Sequence, residues 1–122
     1  MENIEFEKLI DFNIKDKLSY ISNTIVIKHV LSENEKNIMA FAIDYGKTYR
    51  PEPSSFSTFI KIIEGSAKIK VVDGIVLILQ ENDSIMVSNE SVYTIEAIER
   101  FKMLSIVLKN GYNDVGFKNE NK

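Results

Sequence analysis

Apolar and polar residues alternate with a period of two over much of this chain, in short runs broken by turn residues. The clearest run is Ala67-Lys68-Ile69-Lys70-Val71, whose apolar side chains point one way and whose lysines point the other. Before it, Phe56 to Ile63 is β-branched and aromatic, and Glu64-Gly65-Ser66 makes a tight turn. After it, Asp73-Gly74 marks a hairpin, because this pair tolerates the positive φ angles of a two-residue turn. Ile75 to Leu79 follows and Glu81-Asn82-Asp83 turns the chain. Ser84 to Val87, Tyr93 to Ala97 and Lys102 to Leu108 complete the series. Upstream, Ile25 to Leu31 and Ile38 to Tyr45 are two further strands, joined through the polar stretch Ser32 to Asn37. Arg50-Pro51-Glu52-Pro53-Ser54-Ser55 is an irregular loop, since two prolines remove ladder donors. Strands at this spacing, with no amphipathic helix between them, predict an all-β antiparallel sandwich or barrel.

The two ends follow other rules. Residues 1–24 have no clean period; Phe6, Leu9 and Ile10 offer one face of a short helical turn. This segment is expected to pack on the barrel or on a partner. Residues 25–109 form the barrel. Residues 110–122 are a polar tail in which Tyr112, Val115 and Phe117 could dock on the same chain or a second one. In Ile75 to Leu79 both faces are apolar. Alternation sends Leu77 and Leu79 inward and leaves Val76 and Ile78, extended by Val72, in need of cover. Cover by a second copy predicts a homodimer; the N-terminal segment is the alternative cover.

Composition removes several classes of function. A chain of 122 residues buries one core. The net charge is −3 and the basic residues are dispersed, so no nucleic-acid partner is expected. There is no cysteine, which excludes disulfides, thiolate catalysis and Cys-held metals and fits a cytoplasmic location. The acidic start lacks the apolar run of a signal peptide, and no stretch approaches the ~20 apolar residues of a membrane span. The abundance of Ile, Lys and Asn resembles the usage of an AT-rich bacterial genome.

Gly46, Glu64-Gly65, Asp73-Gly74, Ile85-Met86-Val87 and the stretch Glu99 to Leu104 form a gap-free frame. That frame resembles the cupins, and among them the small single-domain conserved-barrel type, from about Ile25 to Lys109. The resemblance implies a double-stranded β-helix, the jelly-roll barrel, and many such proteins are homodimers with a transition metal inside. Carried over residue by residue, the first motif's two histidine positions fall on Glu52 and Ser54, and its glutamate position on Thr58. In the second motif, Asn82-Asp83 stands for glycine-aspartate, Ser88 for proline, Glu90 for glycine and Tyr93 for histidine. The frame therefore implies the fold, and the substituted positions imply neither metal nor cofactor. Glu52, Ser54, Thr58, Met86 and Tyr93 are the candidate residues of a ligand pocket.

A divalent transition metal needs several imidazole or carboxylate donors at about 2.0–2.2 Å. Glu52 alone supplies a carboxylate, and it also reads as a solvated loop residue between two prolines. Tyr93 either donates to a ligand or fills the space that a metal site would need. His29, the one histidine, shares a strand face with Ile25 and Ile27 and reads as a structural residue, buried or at an interface. The resulting expectation is a non-enzymatic small-molecule-binding or assembly module without metal. The alternative is a metal-independent enzyme on a small, sugar-like substrate using Glu52 and Tyr93. A metalloenzyme with an unorthodox site is a third reading.

Overall fold

In the computed structural model, residues 4–33 and 36–108 are described here. Two short 3-10 helices, Ile4–Phe6 and Ile14–Lys17, lead into nine strands among the described residues. They are β1 (Ile25–Glu33), β2 (Lys36–Ile43), β3 (Thr48–Tyr49), β4 (Thr58–Glu64) and β5 (Ala67–Val71), followed by β6 (Val76–Leu79), β7 (Ser84–Val87), β8 (Tyr93–Ala97) and β9 (Phe101–Leu108). One sheet has the order β1-β2-β9-β4-β7 and the other β3-β8-β5-β6, with all pairs antiparallel. The all-β jelly-roll architecture follows. The tail positions Tyr112, Val115 and Phe117 lie outside the described residues.

The core between the sheets is built in cross-strand rows. In the larger sheet, Phe41 lies opposite Met103, which lies opposite Ile62. Ile43 opposes Phe101 in the next row. All of these side chains are buried, and from the other sheet Ile69, Ile95, Ala67 and Ala97 close on them. One end of the barrel is therefore plugged by large apolar side chains. Toward the other end the rows become smaller and more polar. Met39, Ser105 and Ile60 form one, and Asn37, Val107, Thr58 and Val87 form the last.

Local chemistry shapes the turns. Gly65 has φ +80°, and a Cβ there would collide with the Arg100 carbonyl oxygen and come within 2.9 Å of Phe101 Cα. Only glycine meets both demands. Asn82 takes φ +75° in the β6–β7 turn. The Asp83 carboxylate accepts from the Gln80 amide at 2.8 Å, and the turn is stitched to β4 by Asn82 N–H to the Ile62 carbonyl, also 2.8 Å.

The N-terminal segment lies on the outer face of the larger sheet. Leu18 is buried against Ala40 and Ala42, with Ile14, Tyr20, Val26, Val30 and Leu104 around them. The alanines let the chain approach the sheet closely. Beside this contact Lys102 is buried on the same outer face. Its ammonium donates to the Lys15 carbonyl at 2.9 Å, lies 3.9 Å from Glu64 and stands 5.1 Å over the Tyr20 ring. Tyr20 donates to Glu64 at 2.7 Å, and the Arg100 guanidinium stacks on the Tyr20 ring at 4.4 Å. Burial, followed by the Glu64 hydrogen bond, pushes the Tyr20 phenol well above its ordinary range.

Three expectations need correction. Of Phe6, Leu9 and Ile10, only Phe6 is buried, edge-to-face with Phe12 at 5.0 Å. Leu9 sits at φ +66°, which breaks the helical turn that would align the three. His29 is not buried within the chain: it is exposed, on an edge strand at a bulge in the β1–β2 pairing, so of its two readings only burial is overturned. Leu77 is 39% exposed, although its neighbour Leu79 is buried. The row Tyr49–Ile95–Ile69–Leu77 runs out to solvent at β6, because β6 is the last strand of its sheet.

Candidate ligand cavity

The small, polar end of the barrel encloses a cavity of ≈ 260 Å³. Its floor is apolar: Ile60, Ile95, Met103 and Met39. Val87 and Val107 continue this surface toward the mouth, where Pro51 and Phe56 from the 50–57 loop form the rim. Hydroxyls are set into the wall, from Tyr49 and Tyr93 on one sheet and Thr58 and Ser105 on the other. Ser54, Ser88 and Ser91 stand at the loops. Among the lining residues Glu52 is the only charged one, and it is exposed at the mouth.

The rim loops hold each other in place. The Glu90 amide donates to the Ser54 carbonyl at 2.6 Å, with Glu90 at φ +63°. Ser54 Oγ accepts from the Phe56 amide at 3.0 Å, so this hydroxyl shapes the loop as well as facing the cavity. Thr58, the first residue of β4, is buried, and its hydroxyl hydrogen-bonds Tyr93. Burial, then the neighbouring Tyr49 phenol, pushes the Tyr93 phenol up to about 12, with the Thr58 hydrogen bond opposing. Burial also raises Tyr49, whose ring packs on Phe41 at 4.8 Å. Both phenols are therefore neutral at physiological pH.

Four of the five candidate residues, Glu52, Ser54, Thr58 and Tyr93, thus meet around one cavity. Met86 does not join them: it is 61% exposed, and Val87, at 7%, takes the inward position opposite Thr58. The parity of β7 decides this, since adjacent strand residues face opposite ways. Sequence reasoning also missed Met39, Tyr49, Ser105 and Val107. For Met39 and Ser105 a signal existed in strand parity, each lying two residues from the buried Phe41 or Met103. Tyr49 carried no such signal, because β3 is only two residues long and exists through its pairing with β8.

The donor set does not suit a metal. Among the described residues no group of three or more His, Cys, Asp or Glu side chains could hold an ion. One buried acceptor in the mouth-end row is conspicuous instead. Asn37 Oδ1 has no hydrogen-bond partner among the described residues, and Asn37 lies opposite the cavity residue Val107.

No family model and no curated protein matches the chain. Solved structures do. A conserved protein of unknown function from Streptococcus pyogenes superposes with a TM-score of 0.79 at 19% identity, over 87% of this chain and 92% of that one. A cupin superfamily protein from Desulfitobacterium hafniense gives 0.79 at 22%, over 86% and 95%. The fold is that of the cupins. KdgF from Halomonas is similar at a TM-score of 0.66 and 14% identity, over 82% of this chain and 95% of that one. Identities this low carry the barrel and nothing of its chemistry. No described helix is long and apolar enough to cross a membrane.

Proposed function

We propose that this cupin barrel is a metal-free binding module for a small, largely apolar molecule, and not an enzyme. The observation that carries this reading is the cavity itself: an apolar floor, a wall of neutral hydroxyls and one carboxylate at the mouth. An apolar lining with a few convergent polar groups supports a ligand site. A cavity of 150 Å³ is known to hold benzene, so ≈ 260 Å³ suits a compact ligand of about ten non-hydrogen atoms. The donor set supports the metal-free part, because Glu52 is the one carboxylate in the lining and no histidine joins it.

Titration with benzyl alcohol, followed by amide shifts in NMR, tests the reading. Saturable shifts at Thr58, Ser88 and Val107 are expected, and an Ile60→Trp variant that keeps its circular dichroism should lose them. Protein purified without a tag should contain no bound metal. Stoichiometric Fe, Mn, Ni or Zn that disappears on Glu52→Ala would overturn the proposal.

Self-association through β6 is the second part of the proposed role. Val76 and Ile78 are exposed on this edge strand, beside exposed Val72, Ile75 and Leu77. The strand carries no charge, proline or bulge, the devices that normally keep an edge from pairing. A second copy related by a two-fold axis would cover both edges at once.

A further inference from the structure

We infer that the cavity selects a small organic cation, a primary ammonium on a compact apolar body, and rejects anions of the same size. The inference rests on the small-molecule reading above and names the ligand class of that same site. Three features of the lining point to it. The only charged lining residue is Glu52, and no Lys, Arg or His lies among the lining residues. A carboxylate or phosphate entering this site would lose its hydration and meet no cation in return. An ammonium would meet a carboxylate at the mouth, where a charge-assisted hydrogen bond can form.

The hydrogen-bonding capacity of the wall agrees with the charge. The Tyr49 and Tyr93 oxygens are acceptors in the wall, and their rings, with Phe56, line the same space. Aromatic faces attract ammonium groups through their quadrupole, and neutral phenol rings keep that attraction. The apolar floor of Ile60, Ile95 and Met103 then takes the body of the ligand. The one charged group, Glu52, sits at the mouth, so the ligand enters body first with its ammonium outermost.

The experiment compares three probes of nearly one shape: benzylamine (cationic at pH 7), benzyl alcohol and benzoate. Calorimetric titration of the wild-type protein should give a dissociation constant for benzylamine at least tenfold below that for benzyl alcohol. Benzoate should show no saturable binding. Glu52→Gln should bring benzylamine within about threefold of benzyl alcohol. Benzyl alcohol binding as tightly as benzylamine, or benzoate binding at all, would overturn the cation inference while leaving the cavity a small-molecule site. Failure of all three probes to bind would overturn the small-molecule reading itself, and this inference with it.

Discussion

Replacing Leu18 with alanine should destabilise the protein by about 2–3 kcal/mol. Leu18 is only 2% exposed, held between the Ile14–Lys17 helical turn and the methyl groups of Ala40 and Ala42. Truncation removes three buried carbons, worth about 0.8 kcal/mol each, or roughly 2.4 kcal/mol in transfer free energy. A residual cavity would add to this, but one wall of the site is a four-residue 3-10 helix that can settle inward. The lower half of the usual Leu-to-Ala range therefore applies. Urea unfolding followed by circular dichroism measures the change, and a chain of this size should also melt roughly 10 °C lower. The m-value should stay constant, because the same surface is exposed on unfolding. A loss below about 0.5 kcal/mol at constant m would refute the reasoning: the N-terminal segment would then lie outside the cooperative unit.

Gly65→Ala should cost about 3 kcal/mol or more, combining a disfavoured backbone region with a collision against the Arg100–Phe101 main chain; a loss under about 1 kcal/mol in the same urea assay would show that this junction yields freely. Asp44 accepts hydrogen bonds from the Asn23 and Tyr45 amides and pairs with Arg100, and these hold its carboxyl below the ordinary value of 3.8. Its folded pKa is depressed, so the stability it contributes is present above 3.8 and is lost as pH falls through the lower folded value. Asp44→Asn should flatten the acid limb of a stability–pH curve, and an unchanged limb would contradict the assignment. For the proposed dimer, light scattering at micromolar concentration should give about twice the 14.0 kDa chain mass. Val76→Glu with Ile78→Glu should shift this toward one chain mass without unfolding, whereas a monomeric wild type would dismiss the β6 interface.

Turns and strand runs were legible because their causes are local. Gly65, Asp73-Gly74 and the alternation of Ala67 to Val71 each announce a backbone geometry within a few residues. Ile95 and Ala97 follow Tyr93 inward on β8 by simple parity. The meeting of Glu52, Ser54, Thr58 and Tyr93 at one cavity came from motif spacing, whereas Met86 failed by a single residue of parity. The Tyr20–Glu64–Lys102–Arg100 cluster had no local signal at all. Lys102 and its acceptor Lys15 are 87 residues apart, and a lysine on a mostly apolar strand gives no hint of a buried carbonyl partner.

What the sequence by itself determined is the longer strands, the tight turns and the residue types that stand at the cavity positions. Each depends on residue type and short-range spacing, where sterics and side-chain chemistry act without the rest of the chain. Tertiary structure decided which side chains share a space. Two sheets had to close before β3 could bring Tyr49 to the cavity wall, or before small residues in the last row could leave room behind Phe41 and Phe101. It also decided that Leu77 meets solvent while Leu79 does not. Alternation states which face a residue points to; only the position of its strand within the sheet states whether anything covers that face.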